Sequence, residues 1–173
     1  MGILAGIYRF HRDGEPAPAR RHIEEFLANR RLRNPQRIER ALQDFDGYVH
    51  WSLSQRNATV ADHRVRLNLS LGDDVVLGGE VSRIDLTDNG YRAVLLKAAP
   101  PGWQTELRMP LIQRALATDY QRPEREISIG FQNLDGGALD VVTYDRKAVE
   151  TAAAEARDLA ARVRAEMARQ ARA

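Results

Sequence analysis

The residues suited to chemistry gather in three stretches: Gly79-Glu80-Val81-Ser82-Arg83-Ile84-Asp85, Ala93-Val94-Leu95-Leu96-Lys97 and Glu106-Leu107-Arg108-Met109-Pro110-Leu111-Ile112. A hard cation such as Mg2+ wants carboxylate oxygens; a serine hydroxyl is a weak substitute and a leucine is none. Arginine, by contrast, binds phosphate without a metal. Side chains alternate on an extended strand, so Glu80 and Ser82 are expected on one face and Asp85 on the other. A metal-assisted hydrolytic site from Glu80, Glu106 and Lys97 is conceivable. Lys97 reads either as a phosphate contact or as a strand-end lysine reaching solvent. Arg108 reads either as an anion ligand or as an ordinary solvated arginine.

Other chemistries are excluded or weakly signalled. The chain has no cysteine, which removes disulfides, thiolate zinc sites, iron–sulfur clusters and a cysteine nucleophile. His11, His22, His50 and His63 show no metal-ligand spacing. Lys and Arg total 26 against 24 acids, for a net charge of +2. The pI is nevertheless 9.2, because only Lys97 and Lys147 are lysines. Any nucleic-acid surface must therefore be local. The densest basic region spans Arg20 to Arg40. Within it Arg30, Arg33, Arg37 and Arg40 recur every three to four residues across the Asn34-Pro35 break, diluted by Glu24, Glu25 and Glu39. Trp103, after Pro100-Pro101-Gly102, is placed either to stack on a base or to anchor its loop on the core.

The elements that must position these residues follow from periodicity. Ile23, Phe26 and Leu27 mark a helix over 18–33, and Ile38, Ala41, Leu42, Phe45, Val49 and Leu53 a second, interrupted by Gly47. Val65, Leu67, Leu69 and Leu71 then alternate with polar residues as a half-buried strand. Val75 to Asp85 is the next strand, and Asp88-Asn89-Gly90 a hairpin turn into Tyr91 to Lys97. Residues 104–119 read as a helix flawed by Pro110. Ile127 to Phe131 and Leu139 to Tyr144 are strands, and Asp145 caps a closing helix. On that helix Leu159, Val163 and Met167 form a stripe expected to pack on the sheet or on a partner helix. The order is α-α-β-β-β-α-β-β-α, an α/β sandwich around one mixed sheet. A single domain, 1–173, is expected, with a helical part 18–56, a sheet core 59–144 and a final helix 146–172. No segment has the length of a membrane span, and the apolar opening Met1 to Ile7 lacks a basic leader, so the expected location is cytoplasmic.

The spacing of the three stretches resembles the PD-(D/E)XK nuclease superfamily, in its RecB-like exonuclease branch. That branch reads G-x-[IV]-D-R-[IV]-D on one strand, [IV]-[IV]-D-[YF]-K on the next and Q-L-x-L-Y on the following helix. The resemblance implies a restriction-endonuclease-like sandwich and Mg2+-assisted phosphodiester hydrolysis by two carboxylates and a lysine. Carried over by position, the first aspartate falls on Ser82, the second on Leu95, the lysine on Lys97, the glutamine on Arg108 and the tyrosine on Ile112. The acidic residue of the earlier strand falls near Arg64.

The resemblance thus implies a nuclease fold that has lost catalysis. Such a module would bind DNA, or a helicase, nuclease or defence-system subunit, in DNA processing, repair or defence. The expected nucleic-acid contacts are Arg30, Arg33, Arg37, Arg40, Lys97 and Arg108. No cofactor is expected, and no iron–sulfur cluster. The alternative is an active DNA nuclease whose site has migrated to Glu80 and Glu106, with Mg2+ as its cofactor.

Overall fold

A computed structural model describes residues 2–29, 34–55, 58–72, 75–135 and 137–171. Its elements run α1 (Gly2–Asp13), α2 (Pro16–Asn29), α3 (Pro35–Ser54), β1 (Ala58–Ser70), β2 (Val76–Thr87), β3 (Gly90–Leu96), α4 (Arg108–Asp119), β4 (Ile127–Gln132), β5 (Leu139–Val142) and α5 (Arg146–Gln170). The fold is α/β, with a five-stranded mixed sheet in the order β1-β2-β3-β4-β5. The first three strands form an antiparallel meander, β4 runs parallel to β3, and β5 returns antiparallel to β4. The parallel pair needs a crossover, and α4 supplies it.

Helices cover both faces. Leu67, Leu69, Leu95, Ile129 and Phe131 pack with residues of α4 and α5 in one buried cluster, while Val94 and Leu96 pack with α1, α2 and α3 in the other. The neighbours Leu95 and Leu96 belong to different clusters, as the strand period of two requires. Gln113 of α4 is fully buried and joins three segments: its amide donates to the carbonyls of Glu124 and Tyr144 and accepts from the Tyr144 N–H.

The structure corrects several expectations. The apolar opening forms α1, an additional first helix whose Gly6, Ile7 and Phe10 are buried. Pro110 is no flaw, because it is the third residue of α4, where its missing N–H has no intrahelical partner to lose. Trp103 is buried, its Nε1 donating to Asp140 at 2.7 Å and its ring 4.6 Å from that of Phe131, so it anchors the loop and is not free to stack on a base. The α5 stripe leaves the sheet: Leu159, Val163 and Met167 are 48%, 50% and 65% exposed, and Val149, Ala152, Ala153 and Ala156 make the contact instead.

Gly47 does not interrupt α3, which runs through it. A Cβ there would strike the backbone carbonyl of Asp135, in the loop after β4. In an unobstructed helix Gly→Ala stabilises by about 1 kcal/mol. Here the collision should reverse the sign, and Gly47→Ala is expected to destabilise by ~1–3 kcal/mol, read as a lower urea midpoint.

Candidate functional site

The strands that carry the candidate residues change face at one rung. Leu67 and Leu69 on β1 and Val81 on β2 lie against α4 and α5. Strict alternation would send His63 and Arg83 the same way. Instead His63 stacks on Tyr8 of α1, with ring centroids 5.4 Å apart, and Arg83 reaches Tyr48 of α3. Between them Arg64 has φ 54°, a left-handed backbone that costs a non-glycine residue on the order of 1–3 kcal/mol. The register places Arg64 opposite Ser82, because His63 pairs with Arg83 and Val65 with Val81. The Ser82 hydroxyl takes the N–H of Leu96 at 3.1 Å and also bonds the Tyr8 side chain.

On the other side of the sheet β1, β2, β3 and α4 enclose a cavity of about 270 Å3. Glu80, Leu95, Arg108 and Ile112 all border it, together with Leu67, Leu69 and Leu111. Four positions singled out in the sequence therefore meet at one place, and its lining is mainly aliphatic. Ser82 is not among its lining residues. Lys97 directly follows β3, exposed, with its ammonium 5.5 Å from the Phe131 ring centre, on the face of Leu95. The carboxylates are engaged by different arginines: Glu80 lies 3.6 Å from Arg64, and Glu106 2.6 Å from Arg108. Among the described residues no three His, Asp or Glu side chains gather as a set of metal ligands.

Asp85 does not take the opposite side from Ser82. The change of face turns Arg83 and Asp85 toward α1 and α3, and Tyr8, which bonds Ser82, lies on that side too, whereas Glu80 borders the cavity under α4. Arg37 and Arg40 are exposed on the first turns of α3, Arg40 held by Asp44 at 3.0 Å. Arg30 and Arg33 lie outside the described residues.

The sequence reading missed the most connected polar cluster among the described residues. Arg83 is fully buried and forms two bonds to Asp85, Nε–Oδ1 at 2.6 Å and Nη2–Oδ2 at 2.9 Å. Its Nη1 donates to the Tyr48 hydroxyl at 2.6 Å, which in turn lies 2.6 Å from His11 Nε2. The Trp51 ring centre is 4.6 Å from the guanidinium carbon. The only signal was Arg83 and Asp85, two apart on one strand. Compared with known proteins, the sequence matches no family model and no curated protein.

The Tyr48 hydroxyl has one proton; because it accepts from Arg83, it donates to His11, which is held neutral. Burial, then the charge of Arg83 and that of His63, lower the His11 pKa to about 4. Burial raises Tyr48 to about 12, against the opposing pull of Arg83. Burial also opposes the Arg83 charge, but Tyr48 and Asp85 more than offset it and its pKa rises.

A histidine whose folded pKa is depressed stabilises the fold fully above its unfolded value of 6.5, and that contribution is lost as pH falls toward about 4. Urea unfolding should show a decline on the order of 3 kcal/mol across this window, and His11→Asn should remove that slope. Tyr48→Phe strands Nη1 of Arg83 and Nε2 of His11, and is expected to destabilise by about 1–3 kcal/mol at neutral pH in the same assay.

Proposed function

We propose that this chain is a catalytically silent PD-(D/E)XK-like module of the RecB-like branch, with a restriction-endonuclease-like sandwich, that binds DNA and/or a protein partner. The observation that carries this reading is the aliphatic lining of the cavity between β2, β3 and α4. Leu95 stands there where the nuclease pattern has a carboxylate, and Arg108 is the cation at its rim. The β-β-β-α-β-β succession, whose first four elements border the cavity, supports the resemblance.

Two further features support loss of catalysis. The Ser82 hydroxyl is already engaged by the Leu96 N–H, and no oxygen ligand is available from Leu95. Glu80 and Glu106 each pair with a different arginine, Arg64 and Arg108, rather than with each other. For DNA the exposed cations are Arg37, Arg40, Lys97 and Arg108. Their contacts would be to phosphate, so affinity should fall steeply with salt and depend little on sequence.

Titration of fluorescent single- and double-stranded DNA at low salt, with and without Mg2+ or Mn2+, tests this. Expected are binding without cleavage, and weaker binding after Arg37→Glu and Arg108→Glu. Metal-dependent cleavage that disappears on Lys97→Ala and Glu80→Ala would establish the migrated active site instead. Absence of binding at low salt would leave a protein partner alone.

A further inference from the structure

Beyond the helices α1–α3, the sheet face they cover continues toward the β2–β3 hairpin. Arg92, Val94 and Leu96 share that face by the period of two, and Val94 and Leu96 belong to the α1–α3 cluster. At Arg92 the face opens into a small, polar pocket of about 200 Å3. Arg92 and Arg125 border it, with the hydroxyl-bearing side chains of Thr87, Ser128 and Thr143. By register Ser128 stands beside Arg92 across the parallel β3–β4 pair.

The two arginines here have no carboxylate partner among the described residues. Arg92 Nε is shielded from water and has no hydrogen-bond partner among the described residues. Its cross-strand neighbour Asp85 gives both carboxylate oxygens to Arg83. Arg125 likewise makes no ion pair or hydrogen bond among the described residues. The one carboxylate lining the pocket is Glu126, which lies 3.9 Å from Arg122. A desolvated guanidinium N–H without an acceptor is unfavourable by itself. Its persistence beside a second cation and the Ser128 and Thr143 hydroxyls describes a receptor for an oxyanion, the Thr87 hydroxyl being given to the Gly90 carbonyl.

We infer that this pocket binds a phosphate group, with Arg92 and Arg125 supplying the charge and Ser128 and Thr143 additional donors. The volume is below the ~300–1,000 Å3 usual for larger organic ligands, so the pocket takes the phosphate itself while any attached group stays outside. The inference does not depend on the DNA-binding proposal. A sugar phosphate and a terminal phosphate on a nucleic-acid strand present the same chemistry.

The Arg92 side-chain resonances, followed by NMR during titration with inorganic phosphate, report on the site. A saturable shift is expected in the folded chain, with chloride at equal ionic strength producing none. Arg92→Met should abolish phosphate binding and Arg125→Gln weaken it about tenfold. Without phosphate, Arg92→Met should leave the melting temperature unchanged or raised, since an unpaired buried donor has been removed. No saturable shift, phosphate affinity retained in Arg92→Met, or a lowered melting temperature of that variant without phosphate would each overturn the inference. Ribose 5-phosphate and a matched pair of oligonucleotides with and without a 5′-phosphate identify the source. Preference for either phosphorylated ligand over its unphosphorylated counterpart supports the site, and equal binding of the paired oligonucleotides with no ribose 5-phosphate binding counts against it.

Discussion

A guanidinium removed from water must recover its hydration from the protein, and Arg83 does so at the boundary between the sheet and the first three helices. Asp85 fixes two of its nitrogens from within the same strand, and Tyr48 fixes the third from α3. His11 extends the chain of bonds into α1. Two helices are thereby tied to one strand by directional contacts, where apolar burial alone would allow them to slide. The arrangement is self-consistent only when every member keeps its partner, because a lone buried charge is strongly unfavourable.

The change of face on β1 and β2 serves this arrangement. If alternation continued unbroken from Val65 and Val81, Arg83 would point into the aliphatic layer under α4. The left-handed Arg64 and the side-chain bond of Ser82 to Leu96 absorb the change at a single rung. Position 82, which the nuclease pattern would reserve for a metal ligand, therefore has a structural task here. Its hydroxyl takes an N–H that a regular ladder would give to a carbonyl.

Much of the fold was legible in the sequence because its signals are local. The alternation of Val65 to Leu71, the Asp88-Asn89 turn and the Asp145 cap each depend on a few adjacent residues, and each appears in the structure. The first helix was missed because the apolar opening, Met1 to Ile7, was weighed only as a leader; within it Gly6 admits the Ile23 side chain against the helix axis. The meeting of Glu80, Leu95, Arg108 and Ile112 at one cavity came from framework spacing. The Arg83 network and the Arg92 pocket had no such signal, since both arise from register between segments remote in sequence.

The two tryptophans fall on opposite sides of the sheet: Trp103 is buried with Phe131 beneath α4 and α5, and Trp51 packs beside Arg83 among the first helices. Their surroundings differ in kind, one ring against another aromatic and a carboxylate, the other facing a cation. Each helical layer thus carries its own chromophore. The intrinsic fluorescence of single-tryptophan variants separates the loosening of one layer from that of the other, without any added label.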